Sequence, residues 1–288
     1  MTTPDDTAIL LIHCPDRQGL VAAVTGAIHQ RHGNVIDLDQ HVDGERGVFF
    51  MRVEWDLAGF GTALDTFAGE FAREVATPLH MQWRLHRSRR RTRVALFVSR
   101  YSHCLYDILG RWHAGEWPIE IPVVVSNHPD LEAVAARFGL RYETFPVGRE
   151  NKPEVEARQL ALLESLDVDL VVLARYMQIL SPAFVRRYPE RLINIHHSFL
   201  PAFAGAQPYH AAYARGVKII GATSHYVTED LDAGPIIAQD VVPVSHKDSV
   251  EDMVRKGRDL EKIVLARAGH AHLRHQVLVY DNRTVVFD

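Results

Sequence analysis

A short apolar run, a turn and an amphipathic stretch open the chain. The run AILLIHC (8–14) ends at the turn-forming residues PDRQG, and apolar residues then recur at helical spacing from Leu20 to Ile28, before Gly33. This order predicts a strand, a turn and a helix. Two β-rich stretches follow, NVIDLDQHV and GVFFMRVEWDL, and the Asp-Gly pair between them is typical of a hairpin turn.

A second helical stretch at about 62–75 and a strand at about 79–86 complete this first part. The element order βαββαβ over residues 1–86 is that of a compact ferredoxin-like module. The arginine-rich segment 87–92 is interpreted as an exposed linker, because charge runs of this length are usually solvated.

The remainder of the chain has a different pattern. RVALFVS, IPVVVSN and VDLVVLA are short runs without polar alternation, as expected of parallel strands that are buried on both faces. Helical stretches at about 103–113, 130–138 and 153–166 separate them. We therefore predict a Rossmann-like α/β domain with a mostly parallel sheet over 93–288. Ligands of such sheets bind beyond the carboxyl ends of the strands.

Composition and charge narrow the classes of function. The 288 residues include 47% hydrophobic and 24% charged residues, the proportions of an ordinary globular protein. A net charge of -4 argues against nucleic-acid or membrane-surface binding, which depends on many cationic contacts. The two cysteines have no CxxC spacing, and no signal peptide or long apolar segment is visible. A cytoplasmic location is expected.

Candidate catalytic residues cluster at the ends of two apolar runs. After RLINI, Asn194 and His196 are two residues apart, so their side chains project to the same face of an extended strand. GATSHYV then places His225 near a strand end, and Asp232 follows in the loop LDAGPII. An amide can donate to an oxyanion, an imidazole can shuttle protons, and a carboxylate can orient water. This set of groups is suited to acyl transfer.

The stretches NIHHSFLPAF, GATSHYV and LDAGPII together resemble the folate-dependent formyltransferase family, over roughly residues 93–280. The resemblance implies catalytic roles for Asn194, His196 and Asp232, with His225 supporting the aspartate loop. It also implies that ARYMQILSPAFV binds the pterin. The further substrate-binding residues expected from it are Met177, Ile179, Leu180, His197, Ser198 and Gly205.

The loop after the first strand of the second domain indicates which molecule accepts the formyl group. Family members that act on a phosphorylated glycinamide have a loop rich in glycine and serine there, whose N–H groups hold the phosphate. This chain has VSRYSHCLYDIL, in which Arg100, Tyr101 and His103 are bulky. The resemblance therefore favours water as the acceptor and hydrolysis of 10-formyltetrahydrofolate to formate and tetrahydrofolate. The substrate is itself the folate, so no further cofactor is expected.

The first unit resembles an ACT domain, in which PDRQGLV forms the ligand-proximal turn and helix start. The resemblance implies an amino-acid effector near Asp16, Gly19 and Leu20, and a homo-oligomer, a dimer or tetramer, built partly through residues 8–85. Simple dimerisation without an effector is the alternative. The physiological purpose, formate supply for purine synthesis or folate balance in one-carbon metabolism, stays open.

Three other functions are considered. A formyltransferase acting on an amine would use the same catalytic residues, and a pure amino-acid-binding regulator would use only the first domain. A metal hydrolase is the third, with a zinc site built from histidines. Its ligands would be His196, His197, His210 and His225, but HExxH-like spacing and cysteine clusters are missing, so no metal site is expected.

Overall fold

The computed structural model describes residues 6–148, 150–201 and 208–287. By spatial clustering the chain forms two compact units. The first contains Met1–Arg90, Arg274–Leu278 and Val285–Asp288, and the second contains Arg91–Leu273 and Val279–Thr284.

The first unit is a four-stranded antiparallel sheet with two helices. The strand order is β2-β3-β1-β4, and all three neighbouring pairs are antiparallel. The predicted ferredoxin-like arrangement is confirmed. Aromatic residues form much of its core: Trp55, Phe67 and Phe71 are fully buried. The elements are β1 Thr7–Pro15, α1 Leu20–His29, β2 Asn34–Asp43, β3 Val48–Asp56, α2 Leu64–Phe71, a π-helical turn Ala72–Ala76 and β4 Gln82–Arg87.

The division differs from the predicted one at the C-terminus. The prediction assigned everything after residue 92 to one domain, whereas two C-terminal stretches cluster with the first unit. A buried cation explains part of this: the Nε of Arg52 donates to the carbonyl oxygen of His275 over 3.2 Å. The imidazoles of His86 and His275 also stack, with ring centroids 3.8 Å apart.

The second unit is built on a seven-stranded sheet, which confirms the predicted α/β fold. The order is β11-β10-β9-β8-β5-β6-β7, with parallel pairing from β9 to β7 and antiparallel pairing at β9-β10 and β10-β11. The central strands are mostly apolar, as expected of strands that are covered on both faces. The strands are β5 Arg93–Val98, β6 Glu120–Ser126, β7 Tyr142–Thr144, β8 Leu170–Leu173, β9 Leu192–His196, β10 Ile219–Tyr226 and β11 Ile236–Pro243.

Helices connect these strands, and the longest follows the sheet. It runs over Val250–Leu273 and buries Met253, Leu260 and Val264, which recur at helical spacing. The helices of this unit are α3 His103–His113, α4 Glu132–Arg137, α5 Lys152–Ser165, α6 Pro182–Arg187, α7 Pro208–Arg215 and α8 Val250–Leu273. The last two strands, β12 Val277–Tyr280 and β13 Arg283–Val286, pair with each other. Within the described residues, none of the helices has the length and apolar character needed to cross a membrane.

The Arg52 side chain gives a test of the first unit's stability. It is 4% exposed and contacts the carboxylates of Asp37 and Glu54. Glu54 is 14% exposed, so Arg52→Met leaves a mostly buried carboxylate without its cation and should destabilise this unit by about 3 kcal/mol. Amide hydrogen exchange should show faster exchange in β1 and β3. Arg73→Met is the matched control: its 69%-exposed ion pair contributes little, so exchange should stay near that of the parent chain. Equal effects of the two substitutions would contradict the assignment.

Candidate active site

Strand β9 carries two of the predicted catalytic side chains. Asn194 is half-buried and His196 is 7% exposed, and both lie on the same face because they are two residues apart. β8 runs parallel to β9, so the loops after these two strands leave from the same edge of the sheet. The site is therefore at the carboxyl edge of the parallel strands.

His225 reaches Asn194 from the neighbouring strand. The sequence predicted only that His225 lies near the end of a strand. In the structure β10 is antiparallel to β9 and places His225 directly opposite Asn194. The Nδ1 of His225 lies 2.9 Å from the carbonyl oxygen of Tyr226, and its Nε2 lies 3.3 Å from the Nδ2 of Asn194. Because a carbonyl only accepts, Nδ1 carries the proton and Nε2 accepts from the amide. The contact orients the Asn194 carboxamide and leaves its second N–H available.

Asp232 lies between the two histidines. Its Oδ2 is 3.3 Å from the Nδ1 of His196, and its Oδ1 is 3.7 Å from the Nε2 of His225. The residue has a left-handed backbone, with φ of 54°, a conformation that aspartate tolerates better than most residues. The loop then passes close to β10: a Cβ on Gly234 would lie 1.8 Å from the carbonyl oxygen of Tyr226, so only glycine fits there.

The surroundings set the charge of these groups. The hydrogen bond from His196 holds the pKa of Asp232 below its ordinary value, so this carboxyl group is ionised at neutral pH. Burial lowers the pKa of His225. Burial, reinforced by the charge of Arg175, lowers the pKa of His197 to about 4. Near pH 7 the site therefore contains one carboxylate beside neutral imidazoles at His225 and His197.

One imidazole nitrogen is left without a partner. Among the described residues, the Nε2 of His196 and the Oγ of Ser198 are buried and make no hydrogen bond. The Nδ1 of His196 faces Asp232, so Nε2 is on the far side of the ring. A buried polar atom without a partner is uncommon and points to a role with a ligand. The geometry thus leaves His196 one nitrogen with which to exchange a proton.

The predicted pterin-binding stretch follows β8. Met177 is 49% exposed and Ile179 is 61% exposed, which argues against simple core packing for these two residues. Leu180 packs partly against the core of the unit. The backbone N–H of Met177 donates to the Oγ of Ser99 over 2.9 Å, which holds the start of the loop against the end of β5.

The turn after β9 is held by Thr223. Its hydroxyl donates to the carbonyl oxygen of Ser198 over 2.8 Å and accepts from the N–H of Leu200 over 3.0 Å. His197 and Ser198 are both buried here. Gly205, also predicted to bind substrate, lies outside the described residues.

A buried polar group behind the histidines was not singled out from the sequence. Glu261 is 1% exposed and accepts a hydrogen bond of 2.9 Å from the Oη of Tyr209. The signal that could have identified it is a carboxylate on the otherwise apolar face of α8, next to Leu260 and Val264. Arg175 gave no such signal, because its position follows from the path of the loop after β8.

The potential metal ligands that the structure brings together are not the histidines considered above. Within the part of the chain that the structure describes, the one group with suitable composition and spacing is His103, Cys104 and Glu261. The carboxylate of Glu261 already accepts from Tyr209 and lies 3.4 Å from the Nε of Arg175, whose positive charge opposes a cation there.

The predicted effector residues lie at the start of α1. Asp16 is exposed, and Gly19 has a left-handed backbone with φ of 89° and open space around it. Leu20 is only 2% exposed and packs in the core, so its backbone rather than its side chain is what an effector could contact.

Comparison with known proteins identifies relatives of both units. The formyl transferase model matches residues 92–268, and the ACT domain model matches residues 8–65. A formyltetrahydrofolate deformylase from Synechocystis sp. is 54% identical over 281 residues, which covers 98% of this chain and 98% of the relative.

Solved structures agree with the sequence relatives. A formyltetrahydrofolate deformylase from Pseudomonas syringae pv. tomato superposes with a TM-score of 0.95 and 50% identity, covering 98% of this chain and 95% of that one. A glycinamide ribonucleotide transformylase from Symbiobacterium toebii has a TM-score of 0.65 and 32% identity, covering 69% of this chain and 95% of that one. The matches to deformylases extend over both units, and the chain belongs to the formyltetrahydrofolate deformylase family.

Proposed function

We propose that the chain hydrolyses 10-formyltetrahydrofolate to formate and tetrahydrofolate. The observation that carries this proposal is the Asp232 carboxylate held between His196 and His225, with Asn194 beside them. The deformylase names of relatives that match nearly the whole chain support the same substrate. The folate is the substrate, and no other cofactor takes part.

Asn194 is assigned to the oxyanion. One N–H of its carboxamide is used by His225, which orients the group, and the second can donate to the oxygen of the formyl group. As water adds to the formyl carbon, this oxygen becomes negative, and a preorganised donor stabilises that charge.

His196 is assigned to the departing nitrogen. Its Nδ1 faces the Asp232 carboxylate, which favours a proton on that atom and stabilises the ring when it is charged. Its Nε2 can then deliver a proton to N10 as the C–N10 bond breaks.

Asp232 is assigned to the attacking water. Oδ2 faces His196, so Oδ1 is the oxygen that orients the water toward the formyl carbon. The side chain is 19% exposed, which lets water reach it. Its lowered pKa makes it a weak base, so orientation and charge stabilisation are its main contributions. The proton that the water loses is taken up by His196, which then delivers it from Nε2 to N10, so the proton that leaves the water is the one that N10 gains.

Met177, Ile179 and Leu180 are proposed to contact the pterin. The exposed side chains of the first two provide apolar surface at the edge of the sheet where the site lies. His197 and Ser198 complete the floor of this pocket, and Gly205 is proposed to lie on its rim.

Transfer of the formyl group to an amine is the second candidate function. The transformylase from Symbiobacterium toebii has the same fold over most of its length, so the fold alone is compatible with either acceptor. A purely regulatory, amino-acid-binding role is less well supported, because it gives no reason for Asn194, His196 and Asp232 to converge.

The first unit is proposed to bind an amino-acid effector and to contribute to a dimer or tetramer. The exposed carboxylate of Asp16 suits an ammonium group, and the N–H groups at the start of α1, beyond Gly19, suit a carboxylate. A cytoplasmic location is proposed with it, in keeping with two cysteines that are both free.

Hydrolysis predicts formate release without any acceptor. Purified protein incubated with 10-formyltetrahydrofolate alone should release formate and tetrahydrofolate in equal amounts, because water completes the reaction. Formate is measured with formate dehydrogenase. Turnover that requires an added amine would instead establish the transferase.

Loss of Asp232 or Asn194 should abolish most activity without unfolding the protein. Asp232→Asn removes the charge that holds His196 and should lower kcat by roughly 10²–10⁴-fold. Asn194→Ala removes an oxyanion donor and should cost about 2.7–4 kcal/mol of transition-state stabilisation. Asp230→Asn, an exposed change in the same loop, is the control and should keep the parent kcat. Near-parental rates for Asp232→Asn would remove the assignment.

Effector binding is tested by calorimetric titration with single amino acids, together with sedimentation. We expect saturable binding of one amino acid, which Asp16→Asn weakens because the ammonium loses its carboxylate partner. Asp65→Asn, in the first turn of α2, is the matched control in the same unit. An oligomer that binds none of the amino acids would assign the unit to assembly alone.

A further inference from the structure

A cluster of buried polar side chains lies behind the catalytic histidines. Glu261 is its centre: one carboxylate oxygen accepts from the Oη of Tyr209 over 2.9 Å, and the other is 2.8 Å from the Nε2 of His103. The Nε of Arg175 lies 3.4 Å from the same second oxygen, as an ionic contact. Removing a carboxylate from water costs several kcal/mol unless partners replace the water, so these four side chains hold one another in place.

The charges within the cluster are matched. Burial opposes ionisation of Glu261, but the hydrogen bond from His103 and the charge of Arg175 lower its pKa overall. Burial and the neighbouring Glu261 raise the pKa of Tyr209, so its hydroxyl stays protonated and donates.

The cluster is also anchored by an aromatic ring and a strained backbone. Two guanidinium groups lie near the ring of Tyr101, with the Cζ of Arg175 5.1 Å and that of Arg258 5.5 Å from its centroid. Arg175 has a φ of 66°, a conformation that costs free energy for a long side chain and persists where the surroundings require it. The strain allows the Arg175 side chain to join the buried cluster.

The cluster lies near both an open cavity and the catalytic histidines of the second unit. An open cavity of about 680 Å³ is lined in part by His103, His210 and Arg258, and this volume is within the range of small-molecule sites. From His103 the contacts lead through Glu261 to Tyr209, whose ring centroid is 6.1 Å from that of His197. His197 adjoins the catalytic His196. The contacts therefore run from the cavity through this cluster to the residue beside the catalytic imidazole, and we call the cluster the wall.

We infer that this wall, formed by His103, Arg175, Tyr209 and Glu261, selects water as the acceptor by closing the path along which an amine would reach the formyl carbon. The inference rests on the proposed hydrolysis. Asp232 is 19% exposed, so water still enters from its side. A transformylase shares the fold, so the fold alone does not select the acceptor, and the wall lies beside the site where side chains can do so.

Opening the wall should divert the formyl group to an amine. In that reaction the amine nitrogen forms the new C–N bond, the C–N10 bond breaks, and the proton lost by the amine is taken up at N10. The test uses 10-formyltetrahydrofolate with glycinamide as the probe amine, and measures formylglycinamide and formate by mass spectrometry. Tyr209→Ala and His103→Ala should each raise the ratio of formylglycinamide to formate by about tenfold or more over the parent protein, as expected when a pocket contact that excludes a competitor is lost.

Two control variants distinguish an effect of the wall's shape on the product ratio from a general effect of substitution. Tyr209→Phe keeps the ring and should keep a ratio near the parental one. Tyr213→Ala removes an exposed tyrosine from the same helix, and should leave the ratio unchanged. His103 is 14% exposed at the start of α3, so its substitution keeps the test available if Tyr209→Ala does not fold.

The outcomes distinguish this inference from the proposed function. If the parent protein releases formate but folded His103→Ala and Tyr209→Ala proteins show the parental ratio, the wall does not select the acceptor. If the parent protein itself releases no formate without an amine, the proposed hydrolysis fails. A raised ratio in either variant, with the parental ratio in Tyr213→Ala, supports the inference.

Discussion

The geometry of the proposed active site depends on one carboxylate. Asp232 lies between the imidazoles of His196 and His225, and its Oδ2 faces the Nδ1 of His196, which orients that ring. His225 in turn orients the Asn194 carboxamide, because its own Nδ1 is occupied by a carbonyl oxygen. A left-handed backbone at Asp232 and a glycine pressed against β10 make this loop path possible. The site is therefore a small network in which each group determines the direction of the next.

In the second unit, the groups proposed for catalysis and those inferred to select the acceptor are different side chains. The carboxyl edge of the sheet carries the groups proposed for catalysis, and the same fold is found in a transformylase. Behind that edge, the Glu261 carboxylate accepts from Tyr209 and contacts His103, and it lies 3.4 Å from the Nε of Arg175 as an ionic contact. A cluster of this kind stabilises its own geometry because leaving any member unpaired in the interior is costly. The inferred selection of the acceptor resides in these side chains, whereas the fold is shared with a transformylase.

Much of the fold followed from local pattern. Uninterrupted apolar runs indicated β5, β6 and β8 because strands covered on both faces have no polar side. The helices α1, α3 and α5 followed from spacing and turn residues. The short β7 and the small helices α6 and α7 were not identified, because an element of so few residues shows no clear periodicity. The antiparallel direction of β10 was not predicted either, because an apolar run has the same pattern in a parallel and in an antiparallel strand.

The sequence by itself determined which chemical groups are present and that Asn194 and His196 share a face, because side chains alternate along any extended strand. It also identified the loop with Asp232 as the other half of the site. Only the tertiary structure decided that His225 lies opposite Asn194, that Leu20 is buried in the core, and that Glu261, Tyr209 and Arg175 meet. These contacts join residues far apart in the chain, and their partners are selected by packing and by the cost of burying charge rather than by any local spacing.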